Sequence, residues 1–308
     1  MLGIAPMTRL QQLYRQLAPQ FDGERVLHAR DQAPAHAPFD PIVEEGSVGL
    51  HDPGQYLENG RSVIVLGVRI PRGTMEVTIR TPAEAVGPLA FAQYESRRLL
   101  ELAGLRVVKM LRQHGYRSVL THDLLGSASW TANPRGPQND LLANRFAAWA
   151  AGLGRIARSG QLIHSRFGGN LCFLAIVTDA DLPGDEVVRE DAFLAPCRTE
   201  CGEQCRLVCP TAALGCERVR FELEGIRETF YHRHRLRCDW AKRYSLAAAE
   251  GNAYMGWMLD VPIPKDNEIT PQVLAEALRE QPPTPKYRPC NAERCLLACP
   301  YVRDQGTE

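Results

Sequence analysis

The sequence has little that would single it out by composition. Its 308 residues carry 36 Lys and Arg against 36 Asp and Glu, so neither sign is in excess. Without a basic surplus there is no bulk attraction to nucleic acid or to an anionic membrane, although a local patch can hide in a balanced total. Aromatics are sparse, at 7%. No uncharged apolar run approaches the ~18 residues that a membrane span requires; Leu171–Val177 is only strand length. The opening Met1–Gln20 has no basic start followed by an apolar stretch, which argues against a secretory leader and for a cytoplasmic protein with no membrane partner. At 44% hydrophobic the chain has material for a real core.

What the chain does have is cysteine, ten in all. Cys172 stands alone. Cys197, Cys201, Cys205, Cys209, Cys216, Cys238, Cys290, Cys295 and Cys299 crowd the last third. A disulfide framework belongs to small secreted domains, and clustered cysteines in a reducing compartment point to metal instead.

Apolar spacing predicts a helix over Thr8–Leu17, irregular surface over residues 30–60, a buried strand over Arg61–Ile70 and a helix over Leu89–Gln113. A short strand Tyr116–Thr121, a polar loop to Gln138 and a helix Leu141–Ala151 capped by Asn139 or Asp140 follow, then a strand Asn170–Thr178. Alternation of this kind argues for an α/β sheet domain over residues 1–190. Residues 191–308 read as a second domain with few strong strands, held by metal more than by apolar burial. Within it Thr270-Pro271 opens a helix to Arg279.

Two cysteine runs end in Cys-Pro: Cys197, Cys201, Cys205, Cys209-Pro210, and Cys290, Cys295, Cys299-Pro300. In two-cluster ferredoxins three closely spaced cysteines hold one cluster, and the fourth, before Pro, crosses to the other. That rule gives one set of Cys197, Cys201, Cys205 and Cys299, and another of Cys209, Cys238, Cys290 and Cys295. Two 4Fe–4S clusters are then filled, leaving Cys172 and Cys216. The loops are longer than the usual ferredoxin spacing, and structural zinc on four thiolates stays open as an alternative.

The segment Ala150-Ala-Gly-Leu-Gly-Arg-Ile-Ala-Arg-Ser-Gly-Gln-Leu-Ile-His-Ser-Arg-Phe-Gly168, with Phe173–Asp179 and Leu182-Pro183, resembles epoxyqueuosine reductases and reductive dehalogenases. Gly60–Pro71 is similar to the first central strand of that superfamily. The resemblance implies an α+β or α/β fold, a nitroreductase-like cobalamin-binding sheet domain followed by a double-cluster ferredoxin-like domain. It implies an iron–sulfur reductase that passes electrons through two clusters to cobalamin and a substrate. It also implies an external electron donor of the flavodoxin or ferredoxin type. Gly152, Leu153, Gly154, Ser159, Gly160 and Gln161 are its cobalamin candidates; a helix C-cap is the plainer reading of Gly152-Leu-Gly154. Epoxyqueuosine reductases carry an Asp proton donor, where this chain aligns Thr121 or Gln138. His122, Asp123 and Asp140 lie nearby and are the catalytic candidates. Dehalogenases use a Tyr with a basic partner, and Tyr94 with Arg97 is the pair available.

The stretch Tyr231–Tyr244 gathers Arg233, Arg235, Arg237, Lys242 and Arg243 beside aromatics. Contact with tRNA phosphates through Arg233–Arg243 is one reading; charge around a cluster domain, or docking of an acidic electron donor, is the other. A non-catalytic electron carrier or corrinoid-reducing partner, and a dehalogenase-like enzyme, remain alternatives to the reductase.

Overall fold

The structure is a computed structural model that describes the chain except residues 35–36, 72, 75–85, 130, 134–135, 139, 245, 248–259, 267, 281–293 and 304–308. The chain opens with β1 (Leu2–Pro6), α1 (Met7–Phe21) and a hairpin of β2 (Glu24–Asp31) and β3 (Pro41–Val48). Then come β4 (Ser62–Arg69), α2 (Val86–Gln113), β5 (Ser118–Thr121) and the short pair β6 (Thr131–Asn133) and β7 (Gly136–Gln138). α3 (Arg145–Ala150) leads to β8 (Arg155–Ile156), β9 (Leu162–Ile163) and β10 (Leu171–Thr178).

The central sheet runs β1-β4-β10-β5, with every pairing antiparallel. The fold is thus mixed α and β around an antiparallel sheet, the α+β member of the two classes expected. β4 and β10 are almost unbroken apolar runs because both their faces are covered. Val63, Val65, Phe173, Ala175 and Val177 face a core shared with Leu10, Leu13 and Leu17 of α1. Ile64, Leu66, Cys172, Leu174 and Ile176 face the other way, toward Leu100 and Leu111 of α2. Cys172 is fully buried there as an apolar filler. α2 closes on the sheet through Gly104, where a Cβ would come within 2.6 Å of Leu120 and 2.8 Å of Leu174.

Beyond residue 190 lie α4 (Ala195–Thr199), α5 (Gln204–Leu207), β11 (Leu214–Leu223), β12 (Ile226–Arg233), α6 (Arg235–Lys242), α7 (Pro271–Arg279), α8 (Arg294–Leu297) and α9 (Pro300–Arg303). The few strong strands expected here are in fact a long hairpin, β11–β12, turned by Glu224 and Gly225 at positive φ. Its Val219, Phe221, Leu223, Ile226 and Phe230 join the core beneath α1, and Phe221 meets Trp149 edge-on at 4.8 Å. Apolar burial therefore ties this half to the sheet. Buried Glu228 accepts from Trp149 Nε1 at 2.9 Å and Arg155 Nε at 2.5 Å in the same seam.

Residues 30–60 also differ from expectation, since β2–β3 forms a regular ladder there. The helix after residue 140 starts late, at Arg145, because Asn144 sits in the left-handed region at φ 57°. Asn144 is held by its own amide: Oδ1 accepts from Leu124 N at 2.8 Å, and Nδ2 donates to His122 O at 2.8 Å.

Candidate functional site

Two groups of thiols emerge from short elements that the sequence spaces tightly. In the first, α4 carries Cys197 and α5 carries Cys205, with Cys201 between them. Gly202 and Glu203 both adopt left-handed φ, near 59°, which reverses the chain between the two helices. Cys299 returns to this group from the far end of the sequence. Tyr301 fastens the return, its hydroxyl accepting from Cys197 N at 3.1 Å. Burial first, and then the nearby sulfurs, Cys197 and Cys201 among them, push the Cys205 and Cys299 thiols up to about 12. Four thiols that oppose one another's ionisation are the arrangement a cationic centre would stabilise as thiolates.

The second group is Cys209, Cys238 on α6 and Cys295 on α8. They line one hollow with Leu141, Ser159, Gln161 and Arg233, of about 490 Å³ including its mouth. Cys209 Sγ accepts from Ala213 N at 3.2 Å, and Cys238 Sγ from an Arg233 guanidinium nitrogen at 3.9 Å. Cys290 lies outside the described residues. Among the described residues no three His, Cys, Asp or Glu side chains stand ready to hold a single ion. A cubane has its irons at separate corners, so its thiolates form a wider ring than the ligands of one ion. Cys216 belongs to neither group; it is exposed and accepts from an Arg206 guanidinium nitrogen at 2.9 Å.

The glycines expected to leave backbone bare for cobalamin are filled by the chain itself. A Cβ on Gly152 would come 2.3 Å from Glu186 O, and one on Gly154 2.2 Å from Ile163 O. Gly160 packs on Phe230, and Leu153 is buried. Ser159 and Gln161 alone of the six line the hollow beside Cys209 and Cys238.

The acid candidates have opposite characters. Burial pushes the Asp123 carboxyl above its ordinary value, although Ala128 N donates to its Oδ2 at 2.6 Å. Its Oδ1 is buried with no hydrogen-bond partner. Asp140 is equally buried, and burial opposes its charge. Lys242, with Nζ 2.9 Å from Oδ1, and Arg233 outweigh that and hold it down to about 2. It also accepts from Ser129 N and Leu142 N, so it is a fixed anion and does not carry a proton at neutral pH. His122 places Nε2 2.9 Å from Glu101 and is lowered by burial first and Arg97 next. Arg97 itself bonds Glu101 at 3.0 Å along α2.

Much of the basic stretch, read as a surface for tRNA, is engaged by partners within the fold. Arg235 pairs with Glu24 at 3.0 Å, Lys242 with Asp140, and Arg237 donates to Thr211 O at 2.6 Å. Arg243 donates to Leu27 O. Charge counting cannot tell an exposed cation from one whose partner comes from elsewhere in the fold. His232 and His234, together with Arg235 and Arg237, line an open recess of about 1070 Å³ beside Glu24 and Arg25. Sequence reasoning missed Arg145, whose buried guanidinium lies 4.5 Å above the Phe146 ring and is pushed down to about 9 by burial and Arg233. A cation directly before Phe-Ala-Ala-Trp was the available signal.

No protein-family model matches the chain, and no curated protein matches it. Among solved structures it is similar to a catabolic reductive dehalogenase, at 14% identity and TM-score 0.44, over 93% of this chain and 33% of that one. It is similar to epoxyqueuosine reductase from Streptococcus thermophilus, at 14% identity and TM-score 0.36, over 70% of this chain and 50% of the other. An epoxyqueuosine reductase with an epoxyqueuosine-modified tRNA-Tyr stem loop gives TM-score 0.31 at 15% identity, over 67% of this chain and 53% of the other. The structural neighbours are reductive dehalogenases and epoxyqueuosine reductases. The chain spans about a third of the length of the first and half of the second. Among the described residues no helix is long and apolar enough to cross a membrane.

Proposed function

We propose that the protein is an iron–sulfur reductase that holds two 4Fe–4S clusters. One would sit on Cys197, Cys201, Cys205 and Cys299, the other on Cys209, Cys238, Cys290 and Cys295. The observation that carries this is the return of Cys299 to the Cys197 group while Cys209 leaves it for Cys238 and Cys295. That exchange fits the ferredoxin rule and not a pair of separate zinc loops. On this reading residues 1–190 form the substrate-side domain and 191–308 the cluster domain. Clusters so held relay single electrons from an external donor of the flavodoxin or ferredoxin type. Reduction of an organic substrate also consumes protons. Asp123, whose carboxyl burial pushes above its ordinary value, is the acid for that step; Asp140, held down by Lys242 and Arg233, is not.

Cobalamin is the electron acceptor that the resemblance implies, and it supplies low-potential two-electron chemistry when bound. The cradle expected for it does not fit, because Glu186 O and Ile163 O already occupy the space at Gly152 and Gly154. This favours a second reading, an electron carrier or corrinoid-reducing partner that keeps the clusters and binds its acceptor elsewhere. A tRNA substrate would need to be held by groups other than Arg235 and Lys242.

Purification without air, with counts of iron, sulfide and zinc, tests the clusters: about eight irons are expected, and zinc in their place rejects the reading. Adding cobalamin under reduction then separates enzyme from carrier. A changed corrin spectrum with tight binding supports the enzyme, and eight irons with no corrin effect supports the carrier. For the enzyme, Asp123→Asn is expected to lower turnover by about two to four orders of magnitude, and unchanged turnover removes Asp123 as the acid.

A further inference from the structure

The two thiol groups differ in the charges around them. Three arginines stand near the first, and each is paired with a carboxylate. Arg158 lies 3.3 Å from Glu203, Arg206 lies 3.2 Å from the same carboxylate, and Arg198 pairs with Asp191. In this group the Cys197 sulfur accepts from a backbone amide, Arg158 N, at 3.5 Å. Around the second group the pairing is reversed. The nearby carboxylates make their direct contacts with other groups, Glu24 with Arg235, Asp140 with Lys242, and Asp239 with Ser129 Oγ and, at 4.0 Å, Arg243, and they act on Arg233 from farther off. Arg233 forms no carboxylate ion pair among the described residues. One of its terminal nitrogens donates to Ser127 O at 3.2 Å and the other to Cys238 Sγ at 3.9 Å. Ala213 N at 3.2 Å and the Thr211 hydroxyl at 3.7 Å add dipoles on Cys209.

A cluster gains one negative charge on reduction, and a fixed cation or N–H group aimed at its sulfurs stabilises that charge. Arginine keeps its own charge at any working pH, so the effect does not titrate. We propose that Arg233 sets the potential of the cluster on Cys209, Cys238, Cys290 and Cys295 above that of the other cluster. Electrons entering at the Cys197 group would then settle on the cluster beside Ser159 and Gln161. Arg233 is a positioning residue in this role, acting through the Cys238 sulfur, and the inference rests on the two-cluster reading.

The test uses the full chain, loaded with iron and sulfide without air and titrated with dithionite at controlled potential while each cluster is followed by electron paramagnetic resonance. The parent should show two separate couples. Arg233→Gln should move the upper couple down by about tenfold in its reduced-to-oxidised ratio, which is about 59 mV for one electron, and leave the lower couple in place. Arg233→Lys keeps the charge without the planar fork and should move the upper couple by less, in the same direction. An upper couple at the parent value in Arg233→Gln overturns the proposal, as does movement of the lower couple instead. Where Arg233→Gln holds no iron, the shift is read from Arg233→Met, which also removes the charge, and an upper couple that stays at the parent value there overturns the proposal. A parent protein without iron fails earlier and differently, by removing the cluster reading itself.

Discussion

Asp123 and Asp140 stand at the two ends of one loop, both almost sealed from water, and they end in opposite states. Asp140 meets Lys242 and Arg233 from α6 and β12, whereas Asp123 is opposed in its burial only by backbone amides, Ala128 N on Oδ2 among them, and by the more distant Arg145 charge. Burial acts alike on the two carboxyls, so what separates them is how strongly cations oppose it. At Asp140 an ion pair with Lys242 and the charge of Arg233 outweigh burial, whereas at Asp123 the Ala128 amide and Arg145 do not.

The largest way to break this contrast is Asp140→Ala, which strands the buried Lys242 ammonium. We expect a loss of about 3–5 kcal/mol in denaturant unfolding, and a loss under about 1 kcal/mol would show that the pair is not buried in solution. Acid should give the next effect. The Asp140 pKa is depressed in the folded state, so its stabilisation is complete above the ordinary Asp value and is lost as pH falls toward about 2. The folded protein should lose roughly 2 kcal/mol from this group between about pH 4 and pH 2, and Asp140→Asn should flatten that segment of the stability profile. The smallest change should come from Asp123→Asn. A raised carboxyl pKa favours the neutral native form, so stability from this group is full at low pH and is lost as pH rises through the folded value. Removing the ionisation should therefore leave acid stability unchanged and raise stability at alkaline pH, measured by thermal unfolding. A destabilised variant at that pH would mean the carboxylate is paired after all.

The elements legible in the sequence are those whose pattern is set locally or by complete burial. Ser62–Arg69 and Leu171–Thr178 read as central strands because both faces are apolar, and Thr270-Pro271 announces α7 by its cap. Hairpin β2–β3 is hidden because it is wet on much of both faces, so Glu24, His28, Glu44 and Glu45 interrupt any period of two. In β11–β12 the alternation of Val219, Phe221 and Leu223 and the Glu224-Gly225 turn are present, but the charges between them mask the run. The two thiol sets are an expectation taken from the ferredoxin rule, and the structure brings Cys299 near Cys197 and lines one hollow with Cys209, Cys238 and Cys295. The state of Asp140 could not be derived, since Lys242 is 102 residues away and only the fold brings it to 2.9 Å. The same holds at Gly152 and Gly154, where the sequence shows a missing side chain but not what fills its place.

The tie between Tyr301 and Cys197 has a consequence for how the molecule is made. The chain leaves the ribosome from its beginning, and Cys197 to Cys209 emerge about 90 residues before Cys295 and Cys299. During that interval each group of thiols lacks its late member, and the seat between Cys197 N and the tyrosine hydroxyl is empty. Neither group can close before the other, because one short segment, Arg294–Arg303, serves both. On the proposed two-cluster assignment, completion is therefore a single late event in the life of the chain, and a nascent protein stalled before residue 294 would have neither half in working order.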